Sequence, residues 1–196
     1  MIKKITTPIS LDTVKGLKAG DRVLLTGRIV TARDAAHKLM IEKKPDFVRE
    51  YLKESVIYHC GPVVSKDSAG KWHFVSAGPT TSSREEPYEA DVIQEYTVRG
   101  VIGKGGMGAK TSAGLQKTGA VYLHAVGGAG ALIAECVKNV ETVLMYEELG
   151  SPEAFWVIDV VDFPLVVTMD AHGASLHAEV LKNSEAKAKK LLESIR

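Results

Sequence analysis

Ala77-Gly-Pro-Thr-Thr-Ser-Ser-Arg84 closes one predicted strand, and Thr97-Val-Arg-Gly-Val-Ile-Gly103 forms another that runs into Lys104-Gly-Gly-Met-Gly108. In both places a β-rich run ends in small residues and delivers a cation. Arginine presents a planar fork of donors that matches a carboxylate, and lysine adds a compact positive charge. Glycines let backbone N–H groups approach an anion with no Cβ in the way. The hydroxyls of Thr80, Thr81, Ser82 and Ser83 are suited to binding a ligand, capping a helix or moving a proton; residue chemistry alone weighs turn and cap against ligand evenly. The glycine turn is not a Walker loop, because Lys104 comes too early and no Gly-Lys-Ser/Thr follows. Nor is it a dinucleotide fingerprint, because Lys104 occupies the crowded turn.

Working outward, Val23-Leu-Leu-Thr-Gly-Arg-Ile-Val-Thr31 is β-branched and reads as a strand, with a short strand and short helix before it. It leads into Ala32-Arg33-Asp34-Ala-Ala-His37, where Asp34 is the expected N-cap of a helix from about Ala35 to Lys43. Arg33 is thereby set at a helix N-terminus, a favourable place for an anion, with His37 one turn on. A second short helix is expected over Pro45–Leu52, and a hairpin from Ser55–Val64, broken at Gly61-Pro62, and Trp72–Ala77. His59 beside Cys60 has no further ligand at metal spacing, so it reads as structural. Further expectations are a helix from about Pro87 with an apolar stripe of Val92, Ile93 and Tyr96, and a helix or turn over Ala109–Thr118. A buried strand over Ala120–Val126 is followed by a glycine turn, a helix over Ala131–Lys138, and a strand over Thr142–Tyr146. Ala154–Pro164 and Leu165–Asp170 read as two strands, and Ala178–Arg196 as a solvated polar helix. Asp159, Asp162, Asp170, His172 and His177 meet no metal-ligand spacing and read as turn and strand-edge residues. The interleaving predicts an α/β fold with a mixed sheet in one domain, residues 1–196.

Of the 196 residues, 25 are basic and 24 acidic, for a net charge of +1. That balance offers no electrostatic case for nucleic acid or an anionic membrane. No apolar run suits a bilayer span, and the N-terminus lacks a signal core, so a cytoplasmic protein is expected. Two cysteines, Cys60 and Cys136, are too few for a disulfide framework.

Four segments together resemble the class I (iron–sulfur) fumarate hydratase and L(+)-tartrate dehydratase β subunit, equivalent to the C-terminal domain of single-chain class I fumarases. They are Arg33-Asp-Ala-Ala-His37, Gly78-Pro-Thr-Thr-Ser-Ser-Arg84, Gly103-Lys-Gly-Gly-Met-Gly108 and Tyr122-Leu-His-Ala-Val-Gly-Gly128. Each is weak alone; in order, over nearly the whole chain, they are jointly specific. The resemblance implies a swivelling β/β/α domain and reversible hydration of fumarate to L-malate, with Thr80 as catalytic base and Arg33, Arg84 and Lys104 binding substrate carboxylates. It makes His37, Thr81, Gly105 and His124 secondary site candidates. It also implies a [4Fe-4S] cluster acting as Lewis acid, held by a partner α subunit, since this chain lacks the three or four cysteines required. No metal ligand is expected in this chain. Ala32 replaces the family's glycine, and Glu85 stands where relatives carry methionine. A carboxylate there, if paired with Arg84, would instead favour a regulatory subunit that has lost catalysis. A phosphate-ligand binder using the glycine turns is a further alternative.

Overall fold

A computed structural model describes residues 1–194. Its framework is a seven-stranded mixed sheet in the order β1-β2-β3-β6-β7-β9-β8, in which β2 also pairs with β9. The strands are β1 (Ile2–Thr6), β2 (Arg22–Thr31), β3 (Val56–Tyr58), β6 (Gly100–Gly103), β7 (Val121–His124), β8 (Val137–Leu144) and β9 (Phe155–Met169). The ladders β2–β3, β3–β6 and β6–β7 are parallel. The chain then returns antiparallel, with β9 lying beside β7 at Tyr122↔Met169 and beside β2 from Arg22↔Val166 to Val30↔Val157. The ring β2-β3-β6-β7-β9 therefore closes on itself as a barrel-like sheet. Closure leaves these strands without a bare edge for other chains to pair with.

The helices fill the crossovers: α1 (Leu11–Lys15), α2 (Asp34–Lys43), α3 (Arg49–Leu52), α4 (Glu89–Tyr96), α5 (Ala109–Thr118) and α6 (Gly130–Ala134). A short α7 (Tyr146–Leu149) precedes β9, and α8 (Leu176–Ser194) follows it. The hairpin expected between Ser55–Val64 and Trp72–Ala77 is present in part: Val56–Tyr58 joins the main sheet as β3, and only β4 (Val63–Lys66) pairs antiparallel with β5 (Trp72–Ser76), in a sheet of their own. Side chains alternate across a strand, and the alternation feeds two cores. Tyr58, Ile102, Leu123, Trp156 and Ile158 join one, beneath α1 and the hairpin. Ile57, Val101, Tyr122, Phe155 and Val157 join the other, with Met40 of α2, Val92 and Ile93 of α4 and Leu115 of α5.

Three expectations are corrected. The two strands expected around Asp162-Phe-Pro164 are one strand, β9, of 15 residues. The turn signal marks a change of partner instead: β8 pairs with β9 up to Val160, β7 takes over at Val166, and Asp162 between them has φ 50°. The helix expected over Ala131–Lys138 stops at Ala134, because the β-branched run from Val137 is captured by the open side of β9. Arg33, not Asp34, occupies the N-cap of α2, with Asp34 inside its first turn. The polar C-terminal helix is observed to Ser194; Ile195 and Arg196 lie outside the described residues.

Trp156 is fully buried and meets the rings of Trp72, Phe74 and Tyr146 at 5.2, 5.7 and 5.9 Å, so one side chain fastens the hairpin to the sheet. Trp156→Ala should lower unfolding stability by about 3–5 kcal/mol. Urea titration checks this, and proteolysis should cut first in the hairpin, Val63–Ser76.

Candidate active site

Four parallel strands bring the motif residues to one end of the sheet. Arg33 follows β2, His59 follows β3, Lys104 follows β6, and His124 ends β7. Carboxyl ends of parallel strands are the usual seat of ligands in α/β sheets, because successive crossovers leave a crevice there. Thr80-Thr81-Ser82 lies alongside Lys104: Thr81 bridges to Lys104, Ser82 N donates to the Lys104 carbonyl at 3.0 Å, and Thr80 N donates to the His59 carbonyl at 2.7 Å. Gly105 takes φ 84°, a conformation that suits glycine, and lies beside Thr81.

Both arginines are held along one edge. Arg84 donates through Nε and Nη2 to Asp34 Oδ2 and remains half-exposed. Arg33 Nε lies 3.4 Å from Glu153 Oε1, while Glu153 Oε2 accepts from Ala35 N and caps α2 from across the fold. A Cβ on Gly61 would lie 2.6 Å from Arg33 Nη1 and 2.9 Å from the Pro152 carbonyl, so only glycine lets this guanidinium pass. The Lys104 stem reaches over Gly127, and its ammonium makes no ion pair among the described residues. Thr80, Thr81, Lys104 and Gly105 thus lie together on one face at this end of the sheet, with Arg84 three residues beyond Thr81 in the chain and Arg33 at the end of β2.

His37 is not on that face. It is fully buried under it, in a network that crosses four elements. Nδ1 of His37 lies 2.9 Å from the Arg33 carbonyl, which only accepts, so Nδ1 carries a proton. Nε2 lies 3.1 Å from Glu89 Oε2, an ion-pair distance without hydrogen-bond geometry, and the neighbouring carboxylate favours a proton there. His59 donates through Nε2 to the same oxygen at 2.8 Å. Its Nδ1 then accepts from Ser82 Oγ at 2.8 Å, and Ser82 accepts from Tyr122 Oη at 2.8 Å. This assignment makes His37 cationic, Glu89 anionic and His59 neutral. Burial works against the Glu89 charge, but His37 and His59 outweigh it and hold its pKa down at about 2. Burial would depress His37; Glu89 overrides it, and its pKa is raised. His59 is lowered, burial prevailing over Glu89. Gly103 leaves room for the chain, since a Cβ there would overlap Ser82 Oγ.

The ligating atoms of His37, His59 and Glu89 lie within 4.8 Å of one another. That is close enough for a metal ion; His59 Nε2 already donates to Glu89 Oε2, while His37 Nε2 and Glu89 Oε1 have no hydrogen-bond partner among the described residues. Among the late acidic residues, Asp170 accepts from three backbone N–H groups and Asp159 from Asn139, as turn and edge residues do. His124 lies beside His177, at 5.7 Å between ring centroids, in a cavity of about 920 Å³ under α8 that Gly105 also lines. Burial lowers the pKa of both rings.

Glu89, Tyr122 and Glu153 join this arrangement without being revealed by spacing alone, and Ser82, read as a ligand or turn hydroxyl, is buried in the network instead. Glu89 did leave a trace: it heads the stripe Val92, Ile93, Tyr96 at helical spacing. A carboxylate on an apolar face needs a buried partner.

The sequence model of a family described as Fumarase C-terminus matches residues 2–180. The chain belongs to this family. A "Putative fumarate hydratase class I" of Geobacillus stearothermophilus is 45% identical over 191 residues, 97% of this chain but 36% of that protein. The chain thus spans about a third of that relative. A "Putative L(+)-tartrate dehydratase subunit beta" of Methanocaldococcus jannaschii is 44% identical over 182 residues, 91% of this chain and 93% of its own length. The L(+)-tartrate dehydratase subunit beta of Escherichia coli K12 is 40% identical over 196 residues, 100% of this chain and 96% of its own. The relatives' names are those of hydro-lyases, and two name a β subunit. Among the described residues, no helix is long and apolar enough to cross a membrane.

The Glu89 pKa, depressed from 4.5, contributes stability that is present above pH 4.5 and lost as pH falls toward about 2. Glu89→Gln should cost about 3–5 kcal/mol at pH 7, because it leaves the His37 charge buried and unpaired. It should also flatten the acid limb of urea-unfolding stability between pH 5 and 2.

Proposed function

We propose that this chain is the β subunit of a heteromeric hydro-lyase, a swivelling β/β/α domain over residues 1–196, that hydrates fumarate reversibly to L-malate with a cluster-bearing α subunit. The observation that carries this reading is the pairing of the Lys104 backbone with Thr80-Thr81, where the Lys104 ammonium makes no ion pair among the described residues and Arg33 and Arg84 are each held by one carboxylate. Arg84 uses Nε and Nη2 for Asp34 and keeps Nη1 for a ligand. Arg33, Arg84 and Lys104 would hold the two carboxylates of a C4 substrate.

Thr80 would move the proton. A threonine hydroxyl is a poor base at neutral pH, and nearby cations make its alkoxide accessible. Its backbone N–H is tied to the His59 carbonyl, so the His59 network sets where the hydroxyl stands. Water adds across the double bond, the substrate gaining a hydroxyl on one carbon and a proton on the next; Thr80 returns or removes that proton.

The residues present do not fit an iron–sulfur cluster. Cys60 is fully buried, its thiol pKa pushed by burial up to about 12, and Cys136 is the only other cysteine. The cluster therefore belongs to the partner, and the reaction to the assembled cytoplasmic enzyme. Glu85, which gave a regulatory role its support, is buried and makes no pair with Arg84 among the described residues; Asp34 holds Arg84 instead, through Nε and Nη2. L(+)-tartrate is the second substrate reading. It draws on the names of the two β-subunit relatives that match this chain over nearly their full lengths, as the fumarate reading draws on that of the Geobacillus relative.

Anaerobic loss of fumarate absorbance tests the assignment. The chain alone should be inactive, and its mixture with the α subunit from the same source active. Activity on L-tartrate alone would keep the mechanism and change the substrate; inactivity on both, with an intact cluster, would overturn it. In the mixture Thr80→Ala should lower kcat by about 10²–10⁴-fold. Lys104→Ala should abolish turnover, and wild-type activity there would sink the assignment.

A further inference from the structure

Glu85 is fully buried. Its backbone is pinned, with N donating to the Ser82 carbonyl and O accepting from Tyr88 N and Glu89 N, so the side chain has no simple route outward. Neither carboxyl oxygen meets an N–H or O–H donor among the described residues, and Asp34 Oδ1 is in the same position. Asp34 is bonded to Arg84, the residue before Glu85, which makes the two orphaned carboxyl groups neighbours. Carboxyl oxygens crowded away from water with no donor need a proton.

The surrounding charges say which group carries it. Facing Glu85 are Asp34 and His37 from α2, His59 after β3, Glu89 at the head of α4, Tyr122 on β7, and its neighbour Arg84. Arg84 offsets Asp34, and His37 offsets Glu89. That sum is neutral only if Glu85 is neutral; an ionised Glu85 would leave one buried negative charge unpaired. Asp34 already gives Oδ2 to both Arg84 donors, so Glu85 is the acid and Asp34 Oδ1 its acceptor.

We propose that Glu85 is a positioning residue: its neutral carboxyl donates to Asp34 Oδ1 and so locks the Asp34 carboxylate against Arg84, fixing the angle at which Arg84 meets substrate. The role of Arg84 rests on the function proposed above; the shared proton does not. Burial first, and then the Asp34 contact, lift the Glu85 pKa to about 8. Below that value the lock is closed. Above it Glu85 becomes a second anion beside Arg84, loosens Asp34 and competes with substrate.

Infrared difference spectra of the full chain, wild type minus Glu85→Gln, test the proton. The carbonyl band of a neutral carboxyl should persist at pH 6–7 and vanish with a midpoint of about 8; a carboxylate already ionised at pH 6 would overturn the proposal. The assembled enzyme tests the positioning. KM for the C4 substrate should rise about tenfold from pH 7 to 9, the scale of one weakened charged contact, with kcat moving less. Glu85→Gln, whose amide still donates, should keep the low KM and lose the rise. Glu85→Met, which cannot donate, should show the high KM at both pH values. The same pH profile in wild type and Glu85→Gln would refute the lock. An assembly that turns over neither fumarate nor L-tartrate would refute the proposed function, and the infrared titration would still decide the carboxyl pair.

Discussion

A single buried carboxylate organises the working end of this fold. Glu89 sits where no water reaches and holds two imidazoles, one carried by α2 and one by the end of β3. A lone charge in that place would cost several kcal/mol. Its cost is met because His37 brings the opposite charge and His59 a neutral donor. Glu89 thereby binds three elements that are far apart in sequence. It also fixes the His59 carbonyl, which receives Thr80, and the Arg33 carbonyl, which receives His37. The face that carries Thr80 and Lys104 is shaped from behind by this charge balance, while the ring of strands supplies the rigid frame on which it stands.

Much of this was legible in the sequence, for local reasons. Strand and helix order follows from runs of β-branched residues and from turn chemistry, and most of the elements stand where those signals placed them. Arg33, Arg84 and Lys104 could be read as candidate anion-binding groups because each ends a strand or opens a helix, whereas a role for Thr80 came only from the family resemblance. What failed was non-local. Nothing near Val137 announces that β9 will capture it, so a helix that local propensity allowed to continue gives way to a strand. The pairing of β2 with β9, which closes the ring, joins residues more than a hundred positions apart and has no local sign at all.

The buried network was hidden for a related reason. Glu89, Ser82, His59 and Tyr122 come from four separate segments, and each reads innocently alone: a helix-start acid, a turn serine, a strand histidine, a core tyrosine. Glu85 was visible as an anomaly in an anion site, and the sequence offered two fates for it, pairing with Arg84 or turning away. The fold turns it away, beneath Asp34. The same backbone bonds that close the turn at Ser82 hold it there.

The chain from Tyr122 through Ser82 and His59 to Glu89 has only one self-consistent polarity, since each hydroxyl has a single proton to give. A flipped His59 ring would set a bare nitrogen against Glu89 and a donor against Ser82, so the ring has one orientation. Thr80 hangs from the backbone of that ring. The order of protons inside the protein thus stands directly behind the Thr80 backbone, and the hydroxyl proposed to move the proton is preorganised to that extent. Such a template spends no reorganisation energy at the moment of reaction, which a site assembled only on encounter could not achieve.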